Sequence, residues 1–165
     1  MGYFARETAK DSAKHETEMR DAERRYEDLK RRVDARGTAC QHLAQAFASM
    51  SASIDRVIVN IRTQGTDEAE QAVAVGPDYD SAAAEVRTAS TALNTALAEA
   101  VAAGLQLPAG EDIQGTIGEV NKIVARIPTE ITAGIDTHLD VGALPDRRIK
   151  FQAWGTKLAE QCRPA

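Results

Sequence analysis

Three histidines and two cysteines are the side chains in this chain best suited to metal binding or nucleophilic chemistry. Cys40 and His42 lie two positions apart, which places them on different faces of a helix. No CxxC, HxxxH or ExxH spacing occurs, whereas zinc requires three or four converging ligands. We therefore expect no metal, no cofactor, and two reduced cysteines in a reducing compartment. The five candidate ligands are His15, Cys40, His42, His138 and Cys162.

Other patterns associated with catalysis are equally weak. The glycines Gly115 and Gly118 suggest a phosphate loop, but they lie within a helical stripe, and the lysine of such loops does not follow them. Paired carboxylates such as Glu111 and Asp112 come at predicted helix starts, where they complement the helix dipole. There is no GxSxG motif. We expect a protein that is not an enzyme.

The C-terminal part of the chain contains a cluster of cationic and aromatic side chains. Trp, Phe and Arg are enriched at protein–protein interaction sites. The cluster therefore predicts an interaction surface on a C-terminal helix, which we expect to dock on acidic protein surface rather than on nucleic acid. Alternatively, Trp154 anchors this helix in the core and the cations face solvent. The residues of the cluster are Arg147, Arg148, Lys150, Phe151, Trp154 and Lys157.

The strongest pattern in the sequence is a heptad repeat in its first third. Mainly apolar residues recur at alternating steps of three and four over six heptads, which predicts a long helix with a narrow seam over residues 1–62. The apolar seam is a candidate interaction surface: Met19, Ala22, Tyr26, Leu29, Val33, Cys40, Leu43, Phe47, Met50, Ile54, Val57 and Ile61. Arg36 occupies the remaining seam position.

Gly37 is the weak point of this helix, because glycine destabilises a helix interior by about 1 kcal/mol relative to alanine. Since the heptad phase continues through it, we expect a continuous or gently bent helix. The alternative is a break there, with residues 1–36 forming a charged arm.

The rest of the chain predicts about five shorter helices, so the expected fold is all-α. Residues 63–165 should form a helical bundle that includes the second half of the long helix. The β-branched run at 56–61 has strand propensity, but the heptad phase favours helix there. The predicted short helices are 67–75, 81–103, 111–127 (ended by Pro128), 130–139 and 146–162.

Charge and composition limit the classes of partner. The net charge is −5, and residues 67–140 contain 13 acidic against 3 basic side chains. These charges argue against a nucleic-acid ligand. No run of about 18 apolar residues exists, so we expect no membrane span. Alanine supplies 30 of the apolar residues, which leaves few large side chains for a core. We expect packing partners to complete it.

These features favour a non-enzymatic structural or assembly protein that self-associates through helical packing. It would be a homo-oligomer or bind other proteins of an assembly, such as a phage or bacterial particle. The expected location is the bacterial cytoplasm or a virion. The alternative is an adaptor or inhibitor whose acidic surface binds a basic protein.

Overall fold

The computed structural model describes residues 2–64 and 72–163. The predicted all-α class is confirmed in its main feature, because the chain is mostly helical and begins with one long helix. The prediction of about five further helices is wrong, since three follow in the described residues. The elements are α1 (Gly2–Val59), β1 (Ile61–Gln64), β2 (Ala72–Val75), α2 (Tyr79–Ala102), α3 (Ile113–Thr132) and α4 (His138–Gln161).

Helix α1 runs without interruption through Gly37 and spans about 87 Å at about 1.5 Å per residue. It ends at Val59, and the next residue, Asn60, satisfies two of the last carbonyls. The Asn60 backbone N–H donates to the Val57 carbonyl at 3.0 Å, and its side-chain amide donates to the Arg56 carbonyl at 2.9 Å. Carbonyl groups in the last turn of a helix lack an intrahelical donor, and these bonds supply one for two of them.

A short antiparallel hairpin follows α1, with Ile61 opposite Val75 and Gln64 opposite Ala72. The Gly76 N–H donates to the Asn60 carbonyl at 2.7 Å and closes it. The predicted helix over 67–75 is therefore wrong at residues 72–75, where alternating alanine and valine form a strand. Its first part, 67–71, lies outside the described residues.

The core forms where the C-terminal part of α1 packs against α2 and α4, and α3 also packs against α2 and α4. The aromatic rings of Phe47, Phe151 and Trp154 form a chain of contacts between α1 and α4. The Phe47 and Phe151 centroids are 6.4 Å apart, and Phe151 meets Trp154 edge-on at 5.4 Å. A Cβ added at Gly155 would lie 3.2 Å from the Cβ of Phe47, so this glycine lets α4 approach α1 closely.

Helix α3 continues through Pro128, where the sequence predicts its end. Proline has no N–H, so it leaves the carbonyl of Val124, four residues earlier, without its helical donor. The buried Tyr79 hydroxyl donates to that carbonyl at 2.7 Å and replaces the missing bond. Burial and the nearby Asp80 raise the pKa of the Tyr79 hydroxyl, so it remains a donor.

The two helices predicted over 130–139 and 146–162 are also wrong in their boundaries. Helix α3 extends to Thr132 and ends where Gly134 adopts a φ of +68°. At this end the Ile135 N–H donates to the Glu130 carbonyl at 2.9 Å, the bond of a Schellman motif. Helix α4 then begins at His138, eight residues before the predicted start, and Pro145 lies within it.

We expect Tyr79→Phe to lower the free energy of unfolding by about 1–3 kcal/mol, because it leaves the buried Val124 carbonyl without a donor. In a Pro128→Ala background the helical N–H returns, so the same substitution should have a smaller effect. Urea denaturation of the four chains measures this coupling. Equal losses in both backgrounds would contradict the proposed exchange of donors.

Candidate interaction surfaces

The N-terminal part of α1 projects from the bundle as an exposed helix. Every residue from 7 to 38, here called the arm, is exposed to solvent. The arm is about 48 Å long at about 1.5 Å per residue. Its four large apolar seam residues remain uncovered, with Met19 54 %, Tyr26 69 %, Leu29 61 % and Val33 62 % exposed.

The predicted seam is thus divided between two environments. Its second half is buried inside the chain's own core, so those side chains are not exposed for contact with another molecule. Ile61 is half-buried in β1, and Cys40 is half-buried at the boundary. The buried seam residues are Leu43, Phe47, Met50, Ile54 and Val57. The large apolar seam residues that remain well exposed are those of the arm.

A disulfide bond lies where the arm leaves the bundle. Cys40 of α1 and Cys162, just after α4, are joined, with their Cα atoms 5.8 Å apart. The Arg36 Nη2 group donates to the Gln161 carbonyl at 3.1 Å, one turn further out. The expectation of two reduced cysteines is therefore wrong. The two residues are 122 positions apart in sequence, and only the packing of α4 on α1 brings them together.

The cationic and aromatic cluster lies on α4 and is mostly engaged within the chain. Phe151 and Trp154 are buried in the core. Arg147 pairs with Glu119 of α3, and Arg148 pairs with Asp55 of α1, each at 2.8 Å. The side chains of Lys150 and Lys157 are exposed. The structure therefore places this cluster at the contacts of α4 with α1 and α3.

The ion pair between Arg147 and Glu119 affects the titration of both groups. Its hydrogen bond holds the pKa of the Glu119 carboxyl below its usual value and raises that of the Arg147 guanidinium. The opposite shift occurs at Glu130, where burial and the neighbouring Asp140 raise the carboxyl pKa. Asp140 accepts two hydrogen bonds from Arg126, at 2.9 and 3.2 Å.

A shallow groove runs along the outside of α1 and α2. His42 and Glu99 bridge it at one end, with 2.8 Å between Nδ1 and Oε2. Arg56 and Glu85 bridge it at the other end. Between these pairs its walls are small side chains, including Ala46, Ser49, Ala52, Ala92 and Ala96. The sequence prediction missed this groove. Its signal was the run of small residues on α2, because small side chains on the outer edge of a helix pair leave the surface between the two helices shallow and uncovered.

The described residues contain no group of three His, Cys, Asp or Glu side chains placed to hold a metal ion. His138, the first residue of α4, pairs with Asp136 of the preceding turn, with 2.6 Å between Nδ1 and Oδ1. Both described cysteines are bonded to each other, so neither sulfur is a free thiol. His15 lies on the exposed arm, far along α1 from Cys40 and His42.

No protein-family model matches this chain, and neither a curated protein nor a solved structure matches it. Among the helices in residues 2–64 and 72–163, none is long and apolar enough to cross a membrane.

We expect Glu119→Gln to destabilise the bundle at pH 7 by no more than about 1 kcal/mol, as for other partly exposed ion pairs. Because the pKa of Glu119 is lowered in the folded chain, its contribution is full above the ordinary glutamate pKa. That contribution is lost as the pH falls through the lowered value. Thermal unfolding of parent and variant from pH 7 to pH 3 should therefore converge in acid. Glu160→Gln, at an exposed position on α4, is the control and should show no such convergence.

We expect reduction of the disulfide to lower the free energy of unfolding by about 2–5 kcal/mol, because the bond closes a long loop in the unfolded chain. A Cys40→Ala, Cys162→Ala double variant should show the same loss and should not respond to reductant. Urea denaturation with and without reductant measures both effects. An equally stable reduced chain would contradict this expectation.

Proposed function

We propose that this chain is a non-enzymatic structural protein that self-associates through helical packing and serves as a subunit of a larger assembly. A phage or bacterial particle is the kind of assembly that we favour. The bundle would hold the subunit's shape, and the arm would connect one subunit to another.

The exposed apolar stripe of the arm carries this proposal. Helices in proteins derive most of their stability from the packing of an amphipathic face, yet the arm has no such packing along residues 7–38 in the isolated chain. Its four exposed apolar residues continue the same heptad seam that is buried further along α1. A second helix packed against this stripe would extend the buried seam along nearly the whole of α1.

The polar side chains of the bundle support a structural role. The pairs between Arg147 and Glu119 and between Arg148 and Asp55 join α4 to two other helices. The cysteine side chains form a covalent link between α1 and the end of α4. Each of these groups has a role in holding the bundle together, which explains its presence without catalysis.

The alternative, an acidic adaptor or inhibitor that binds a basic protein, has less support. Part of the acidic charge in the middle of the sequence is paired with cations of the same chain. Glu85, Glu119 and Asp140 each form an ion pair with an arginine, and Glu99 forms a hydrogen bond with His42. A basic partner would have to compete with these contacts.

The disulfide bears on where the protein acts. Disulfides persist in oxidising surroundings and are rare in the cytosol. Of the two expected locations, the bacterial cytoplasm and the virion, we therefore favour the assembled particle.

Sedimentation velocity over a range of concentrations tests the proposal. We expect the parent chain to form oligomers and a Tyr26→Glu, Leu29→Glu double variant to remain monomeric, because the charges would interrupt the apolar stripe. Since both residues are exposed in the single chain, thermal unfolding should be the same for both proteins at a concentration where the parent is also monomeric.

Val101→Glu, Ile149→Glu is the matched control. The exposed fractions of these residues, 54 % and 53 %, are similar to that of Met19 in the arm, but both residues lie on the bundle. The control should assemble like the parent. A parent that stays monomeric at every concentration, or an arm variant that assembles like the parent, would contradict the proposal.

A further inference from the structure

We propose that the occupant of the apolar stripe is a second copy of the same arm, packed antiparallel over about residues 12–36. This inference rests on the proposed self-association and adds its geometry. It follows from the distribution of charge along the exposed helix and from the order of large and small seam residues.

The arm is a helix with opposite net charges in its two halves. Residues 7–23 contain six acidic and three basic side chains, whereas residues 24–36 contain three acidic and six basic ones. Two arms side by side in the same direction place like charges together. Two arms in opposite directions place each acidic half against a basic half, and electrostatic complementarity of this kind fixes orientation.

The charged residues that flank the seam also disfavour a parallel pair of arms. The seam alternates the a and d positions of the heptad, with Met19 at a. In a parallel, in-register pair, the g residue that immediately precedes each a position meets the e residue five places later in the partner. These contacts would join Asp11 to Glu16, Glu18 to Glu23, and Arg25 to Lys30, and all three are like-charge pairs. A parallel dimer of the arm is therefore disfavoured.

An antiparallel pair has a register that suits both the seam and its flanks. Met19 then lies opposite Leu29 of the second copy, and the small Ala22 lies opposite the large Tyr26. Alternation of large and small side chains lets facing layers interdigitate. The exposed apolar residues of one arm thus lie mainly against seam residues of the other.

In the same register, Glu18 faces Arg32 of the second copy on one flank, and Glu16 faces Lys30 on the other. Each pair occurs twice by symmetry. Near the axis Arg25 and Glu23 meet their own counterparts, which opposes association. The four favourable pairs outnumber these two contacts. Glu16 already pairs with Arg20 at 2.7 Å within its own helix, so Glu18 and Arg32 are the sharper probes.

Charge reversal of the full-length chain distinguishes the two orientations. In the antiparallel dimer, Glu18→Arg and Arg32→Glu each create two like-charge pairs and should weaken the dimer about tenfold. Mixing the two variants should restore association, because both contacts in the mixed dimer join opposite charges. In a parallel dimer, Glu18→Arg would instead meet Glu23 and tighten association.

Asp21→Arg and Arg31→Glu are matched controls on the outer face of the same helix, and they change the net charge equally. Sedimentation equilibrium measures the dissociation constants, and circular dichroism confirms equal helix content. Weakening by both flanking variants, rescue on mixing and inert controls support the antiparallel arm. Tightening by Glu18→Arg, or no response to either reversal, would overturn it. A monomeric parent would instead overturn the proposed function itself.

Discussion

The structure depends on the burial of the α1 stripe from Leu43 to Val57 between α2 and α4. Large aliphatic and aromatic side chains are scarce in this chain, and many of the available ones are in this stripe and the surfaces that face it. Complete burial of one such side chain contributes about 1.5–3 kcal/mol. The alanine-rich face of α2 favours burial of the α1 stripe, because small side chains let the axes of α1 and α2 approach closely.

Polar and covalent contacts add to this apolar packing where α4 meets its neighbours. Ion pairs join α4 to α1 and α3, and the disulfide ties the end of α4 to α1. Exposed ion pairs contribute little individually, but they select one orientation among the alternatives that apolar packing alone permits. The aromatic contacts of Phe47, Phe151 and Trp154 supply the apolar part of the same interface.

The arm is the consequence of where the bundle ends. Helices α2 and α4 reach no further along α1 than the region around Cys40, so the remaining heptads have no cover from their own chain. The arm therefore presents an exposed apolar stripe and two oppositely charged halves. The proposed assembly role is based on this combination rather than on any cavity or titratable cluster.

The sequence by itself determined the features that depend on local periodicity. The heptad phase from Met19 to Val57 favoured one continuous helix through Gly37, with a break there as the open alternative, and α1 is continuous. A single glycine costs a helix only about 1 kcal/mol, which the summed propensity of the other residues can outweigh. The stripe of Ile113, Ile117 and Val120 likewise located α3. The all-α class followed from the same 3.6-residue period.

Tertiary structure decided the features that depend on residues distant in sequence. Pro128 is tolerated because the Tyr79 hydroxyl reaches the Val124 carbonyl, which the proline leaves without a donor. Tyr79 and Val124 are 45 positions apart in sequence. The disulfide requires Cys40 and Cys162 to meet across the bundle. Which half of the seam is buried depends on how far α2 and α4 extend. Periodicity reports which side of a helix is apolar, but only the fold decides what covers it.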